Sequence, residues 1–440
     1  MAQYLQKYYA KLFKNLSKLL TNPDFISTYC FDKKHFSRKK VLSFQTVTLL
    51  ILRLLKSSVS TELRVFYESI LKVEEVVNVV SDSAFCKARQ KIHFKLFVEL
   101  YKFFVRFFYA NIGGKTWFHF RLLGIDGSEL NLPSSKELID KFGCHHTNSI
   151  GTQIPQARVS FLCDVINRIT IDAQIESFKV GEQEMLLQHL KCIGKGDLVT
   201  ADANYGHFRI LKSIRKTGAD FCIRMNQSSN FIKDFLASGK KDVVTVWSPS
   251  KKTIENCKKY GIDYSPMKVR LVRIDLSENE TEVLVLSLLN QSVYKLDAVE
   301  ELYDMRWASE EEFKKFMQRL LVEFFSSIKE NGVLQDFYAN VFMLNLVSFL
   351  AEPVTGQIYQ ASKDCKYRQQ INWTSALSDV RRKFILLFVR SIDKIESIIE
   401  SLWKSFKKNT EAIKPERKFP RDKRKKGSRK KAFINYKPAW

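Results

Sequence analysis

The stretch Tyr303-Asp304-Met305-Arg306-Trp307-Ala308-Ser309-Glu310-Glu311-Glu312-Phe313-Lys314-Lys315-Phe316-Met317-Gln318-Arg319-Leu320 decides how the rest of the chain is read. Its apolar positions recur with a helical period, and Ser309 stands three residues before Glu312, as in a capping box. At 3.6 residues per turn, Tyr303, Arg306, Glu310, Lys314 and Met317 share one face, while Phe313, Phe316, Leu320 and Phe324 form an adjoining apolar face. One face packs and the other presents a carboxylate between cations. A surface helix with an i,i+4 Glu310 to Lys314 pair explains the stretch taken alone. A catalytic carboxylate explains it too, provided that partner carboxylates arrive from other elements.

Two such partners lie upstream. Phe118 to Ile125 is a strand-like run ending in Asp126-Gly127-Ser128, and Gly196 to Ala201 is another that runs into Asp202-Ala203-Asn204-Tyr205-Gly206. A carboxylate at a strand end beside glycine lies at an edge where ligands bind, although an aspartate opening a turn is common in itself. Between them Ala157 to Asp164 and Ile169 to Ile175 alternate as a hairpin, with Asp164 and Asp172 read as turn or strand-face residues. Helices are expected at Glu182 to Ile193 and His207 to Thr217, and a strand at Asp220 to Arg224, so the pattern alternates as α/β.

The 440 residues carry 72 Lys and Arg against 47 Asp and Glu, a net charge of +25. That balance suits a polyanion, nucleic acid first and an acidic membrane surface second. The eight cysteines form no Cys-x-x-Cys pair, which argues against a zinc ribbon or a redox motif. Cys144-His145-His146 reads as a loop, because adjacent residues do not readily converge on one metal ion. No signal-peptide pattern opens the chain, and the apolar runs Val47 to Leu55 and Phe97 to Tyr109 are interrupted by cations, so a soluble protein is expected.

Helices are expected at Tyr4 to Leu20, Ser43 to Lys56, Ser60 to Leu71 and Ser81 to Tyr109, with Ser43, Ser60 and Ser81 or Asp82 as caps. The basic stretches His35 to Lys40 and Cys86 to Lys91 read equally as phosphate contacts or as solvated faces. Strands at Val243 to Trp247, Lys268 to Leu276 and Glu282 to Asn290 make residues 226 to 296 β-rich, and Gly332 to Leu350 and Trp373 to Trp403 read as helices. Lys414 to Lys437 holds 12 Lys or Arg against Glu416 and Asp422, so this tail alone carries +10. Its prolines and glycine predict a flexible arm docking on phosphate, with Arg421, Lys423, Arg424, Lys425 and Lys426 at its centre.

The spacing Tyr303, Arg306, Glu310 resembles the Y-R-E-K signature of bacterial insertion-sequence transposases of the IS-four family, with Met317 where the lysine normally stands. Asp202-x-x-Tyr205, Ser83 to Arg89, Glu323 to Phe325 and Gln335 to Phe342 are similar to further segments of that family. The resemblance implies a DDE transposase whose ribonuclease-H-like mixed-sheet α/β core is interrupted by a β-rich insertion, with a helical N-terminal domain and a basic tail. The expected boundaries are 1–112, 113–225 for the first part of the core, 226–296 for the insertion, 297–410 for the second part of the core, and 411–440. Asp126, Asp202 and Glu310 are the implied catalytic acids. Such oxygen donors favour Mg²⁺, or Mn²⁺ as a substitute, with two ions at the site.

Tyr303 and Arg306, by the same implication, contact DNA near the cut end, and Lys314 is placed by helix geometry to assist. The family implies binding of terminal inverted repeats by a homodimer in a synaptic complex, excision through hairpin ends and joining to target DNA. This activity belongs in the bacterial cytoplasm, at the nucleoid. Two other readings share these features: a ribonuclease-H-like nuclease without strand transfer, and a DNA-binding regulator derived from an inactive transposase.

Overall fold

The computed structural model describes residues 2–38, 41–55, 57–71, 79–147, 153–277, 280–305, 320 and 322–414. It divides into two compact units, one of residues 1–113, 130–157 and 314–440, the other of 114–129 and 158–313. The strands, in chain order, are β1 (Arg121–Asn131), β2 (Cys144–Thr147), β3 (Gln153–Asp164), β4 (Ile169–Ser177), β5 (Asp197–Ala201), β6 (Asp220–Arg224), β7 (Asp242–Trp247), β8 (Met267–Ser277), β9 (Glu280–Leu286), β10 (Gln369–Ile371) and β11 (Thr410–Ala412).

The second unit is built on the sheet. Its strands run in the order β4-β3-β1-β5-β6-β9-β8-β7. The five strands that come first in this unit are therefore ordered third, second, first, fourth, fifth, with β1, β5 and β6 parallel to one another. This is the mixed sheet expected of a ribonuclease-H-like core. The hairpin β3–β4 turns at Val165 to Arg168, where Arg168 takes a positive φ of 55°. β7 to β9, the strands expected in the β-rich stretch, continue this sheet, because β9 pairs antiparallel with β6 through Cys222↔Leu286, Ile223↔Val285 and Arg224↔Leu284. That stretch also holds two helices absent from the sequence reading, Asn230–Ala237 and Lys251–Lys259. Leu122, Leu198, Cys222, Val272, Leu284 and Leu302 pack into one core beneath the helix Leu296–Met305.

The first unit is helical and is centred on Glu330–Ala361, a 32-residue helix whose residues are mostly buried. Among the described residues this helix is long and apolar enough to cross a membrane, but 94% of its most apolar window is buried within the protein. It is a core helix. The Tyr9 hydroxyl donates to the Phe349 carbonyl at 3.0 Å and the Trp403 indole to the Leu350 carbonyl at 2.8 Å, fixing two outer helices against it.

Several expectations are corrected here. Ser81 to Tyr109 is two helices, Asp82–Arg89 and Lys95–Asn111. Between them the Phe94 amide donates to Asn331 Oδ1 at 2.9 Å and the His93 amide to the Tyr29 carbonyl at 2.8 Å, so tertiary partners replace helical hydrogen bonds. Ser43 and Ser81 cap as expected, but Ser60 lies inside a helix that starts at Val59. There the Ser58 hydroxyl accepts from the Thr61 amide at 3.3 Å. The helix from Phe44 ends at Leu52, followed by Leu54 at φ 63°. Cys144 to Thr147 is a strand paired with the start of β3, not a loop, because its backbone is taken up by that edge. Trp373 to Trp403 is broken into Trp373–Lys383, Leu386–Val389 and Ile392–Lys408.

Candidate active site

Asp126 and Asp202 come together through strand register. β1 and β5 pair in parallel from Arg121↔Asp197 to Gly124↔Thr200, and the two aspartates each stand two residues beyond the last pair. Neighbouring strands are about 4.8 Å apart, so the two carboxylates leave the sheet side by side. Leu122, Leu123 and Ile125 anchor one strand in the core, and Leu198, Val199 and Ala201 anchor the other. Asp202 directly follows β5, as expected. Asp126 does not end its strand, since β1 continues to Asn131; what ends near it is the pairing with β5.

Both carboxylates are half-buried and tied to their own backbone. Asp126 Oδ1 accepts from the Gly127 amide at 2.8 Å, and Asp202 Oδ1 accepts from the Asn204 amide at 2.9 Å, capping the single turn Ala203–Tyr205. That turn drives Tyr205 inward until 2% of it is exposed, and its hydroxyl finds no hydrogen-bond partner. Burial first, then the charges of Glu182, Asp202 and Asp126, push the Tyr205 phenol well above its usual pKa, so it keeps its proton. Gly127 lets these groups close up. A Cβ there would lie 3.2 Å from the Val159 carbonyl oxygen, 3.5 Å from Glu182 Cγ and 3.6 Å from the Tyr205 hydroxyl.

Three residues without a role in the sequence reading, Glu182, Arg158 and Arg224, complete the surroundings. Glu182, at the start of the helix Glu182–His189, accepts from the Asn204 side-chain amide. Arg158 donates to the Val180 carbonyl at 3.0 Å and stands 3.7 Å from Glu129, while its Nε has no partner. Arg224, at the end of β6, is bonded to Glu282 at 2.5 Å. Burial disfavours the Arg224 charge, but Glu282, Tyr303 and Asp202 outweigh it and raise the guanidinium pKa. No local pattern marks these three; only the closeness of Gly127 and Gly206 to each aspartate hints at crowding.

Among the described residues named here, the carboxylates of Asp126, Asp202, Glu129, Glu182 and Glu282 outnumber the guanidiniums of Arg158 and Arg224 by five to two. Half-buried anions in excess call for a cation, and these donors are hard oxygens suited to a divalent ion. Among the described residues no three His, Cys, Asp or Glu side chains are already gathered as a metal cluster. Glu310, Arg306, Lys314 and Met317 lie outside the described residues, as do Arg421, Lys423, Arg424, Lys425 and Lys426.

Tyr303 is described, and its ring packs in the core beneath the sheet at 4% exposure. Asp164 accepts from the Asn167 amide at 3.0 Å in the hairpin turn, and Asp172 pairs with His189 at 2.9 Å, so both have structural work. Arg89, in the basic stretch at Cys86 to Lys91, is 2% exposed and bound to Asp336, which excludes it from contact with phosphate.

The transposase DDE domain family matches residues 117–346, a span that starts just before β1 and includes Asp126, Asp202 and position 310. The chain belongs to that family. It is an enzyme, a DDE transposase, which cleaves DNA, transfers the cut strands and uses divalent metal ions. Among curated proteins none matches it significantly. Among solved structures it is similar to the piggyBac transposase synaptic complex with hairpin DNA, at 12% identity and a TM-score of 0.46, over 89% of this chain and 85% of that one.

Proposed function

We propose that this transposase is of the insertion-sequence IS-four type: a homodimer that binds the terminal inverted repeats of its element, frees the ends through hairpins and joins them to target DNA in the cytoplasm. The observation that carries the reading is the register that sets Asp126 and Asp202 side by side on parallel strands, followed in the chain by the Tyr303, Arg306, Glu310 spacing. Glu310 is the third acid and Arg306 contacts the DNA near the cut, whereas Tyr303, buried in the core at 4% exposure, supports that segment from beneath instead of touching DNA.

Asp126 and Asp202 bring negative charge to the site, and each carboxylate accepts a hydrogen bond from a nearby backbone amide. Tyr205, 2% exposed, packs close beside Gly127 next to them. Bound by these oxygens, two Mg²⁺ ions, or Mn²⁺ in their place, would activate water and stabilise the departing 3′ oxygen. The first product is a free 3′-hydroxyl, which then serves as the nucleophile, so no Ser or Tyr is needed as one.

The test uses a labelled terminal-repeat duplex with Mg²⁺. Asp126→Asn, Asp202→Asn and Glu310→Gln are each expected to abolish cleavage while binding, followed by fluorescence anisotropy, persists. A variant that cleaves at a near wild-type rate removes its residue from the site. Cleavage by the wild type without any joined product would favour the nuclease reading, and binding without cleavage the regulator reading.

A further inference from the structure

Beside the loop that carries Asp202 lies a cavity of about 270 Å³, lined by Gln183, His207, Arg209, Lys252, Thr253 and Asn256 together with the Phe208 ring. All of these belong to the second unit. The polar lining offers a guanidinium, an ammonium, a hydroxyl, an imidazole and two amides, and no carboxylate.

Two independent features point to an anion. Lys252 and Thr253 stand in the first turn of the nine-residue helix Lys251–Lys259, which has no acidic residue in that turn and whose Ser250 cap accepts from the Thr253 amide at 3.3 Å. The free amides and positive end of such a turn favour negative charge. Arg209 is the second feature. It is 8% exposed, its Nη2 donates to Glu184 at 3.0 Å, its guanidinium carbon sits 4.3 Å from the centre of the Tyr260 ring, and its Nη1 has no acceptor. A buried guanidinium N–H without an acceptor is costly, and an oxyanion in the cavity supplies one.

The source of that oxyanion follows from what the cavity adjoins. Gln183 donates to the Asn204 carbonyl at 3.0 Å, two residues from Asp202, and His207 is five residues from Asp202. Five residues span at most roughly 17 Å. At about 3.4 Å per nucleotide, a strand held at Asp202 and running toward the cavity would reach it within about five steps. Exposed Lys251, Lys258 and Lys259 extend the positive surface along the same helix. We propose that the cavity between Arg209 and the first turn of Lys251–Lys259 is a subsite for one backbone phosphate of the DNA strand being cut. The proposal rests on Asp126 and Asp202 being the catalytic acids.

The experiment measures binding of a labelled duplex, carrying the repeat that flanks the gene, to the full chain without Mg²⁺ over a salt series. Lys252→Gln and Arg209→Gln are compared with wild type, and single methylphosphonate linkages are walked along the cut strand. Each variant should bind several-fold more weakly, with a slope of log K against log[salt] smaller by about one. One neutral linkage within about five nucleotides of the cut should weaken wild type several-fold and Lys252→Gln less than about twofold. Arg209→Gln also loses the Glu184 pair, so exposed Lys252→Gln decides the matter if that variant does not fold. Wild-type affinity and slope in Lys252→Gln, or equal methylphosphonate effects in both proteins at every step, would overturn the proposal. Heat protection by inorganic phosphate that Lys252→Gln lacks, with duplex binding unchanged, would assign the cavity to free phosphate and overturn it as well. Binding is read without metal or cleavage, so a failure of the catalytic assignment shows separately, as wild-type protein that binds but does not cut.

Discussion

Each unit buries a cluster of charged side chains, and the two clusters are finished differently. In the helical unit, Arg89 donates to Gln335 Oε1 at 3.0 Å, Ser326 Oγ at 2.7 Å, the Gly332 carbonyl at 3.1 Å and Asp336 Oδ1 at 3.0 Å. Asp336 also accepts from the Ser326 amide at 2.7 Å, and the Gln335 amide reaches the carbonyls of Arg89 and Ile92. Around Asp126 and Asp202, by contrast, the Tyr205 hydroxyl, Arg158 Nε, Arg224 Nε and Glu282 Oε2 are all buried without a partner among the described residues. A completed network fixes geometry. An incomplete one costs stability and, under the function proposed above, leaves its donors for a phosphodiester and its carboxylate oxygen for a divalent cation.

The largest expected effect tests the completed cluster. Arg89→Met leaves the Asp336 carboxylate buried without its cation and should lower unfolding free energy by about 3–5 kcal/mol. Urea denaturation of the full chain measures it, and a loss below about 1 kcal/mol would mean that the network is dispensable.

A smaller effect is expected where the backbone crowds the active-site loop. A Cβ on Gly206 would lie 2.7 Å from the Arg224 carbonyl oxygen and 3.0 Å from Met225 Sδ. Gly206→Ala should therefore cost about 1–3 kcal/mol by displacing the turn that follows Asp202. Slower cleavage should accompany that loss, and unchanged stability would show that the loop yields freely.

The smallest expected change in stability separates the two clusters most sharply. Tyr205→Phe removes a hydroxyl that has no partner, so unfolding free energy should stay within about 1 kcal/mol of wild type. Its apparent metal affinity should nonetheless fall about 10–100-fold if the phenol, which lies close enough to feel the charges of Glu182, Asp202 and Asp126, turns to donate to the proposed metal ligands once the ion binds. Metal titration followed by both cleavage and Tb³⁺ luminescence reads this. A large stability loss with unchanged metal dependence would make Tyr205 a packing residue like those of the helical unit.

The sequence by itself determined the alternation of strands and helices from Phe118 to Arg224, the hairpin at Val165 to Arg168, and the two aspartates following apolar runs. These are local signals: period, turn residues and charge within a few positions. Tertiary structure alone decided that Asp126 and Asp202 stand side by side, since that depends on the register of β1 against β5. It also decided that β7 to β9 extend the sheet through β9 and β6, and that Arg89 is buried rather than free for phosphate. Glu182, Arg158 and Arg224 reach the candidate site around Asp126 and Asp202 the same way, from three other elements. Such groupings join residues tens of positions apart, and the cost or gain of each contact depends on burial and partners that a single sequence does not encode locally.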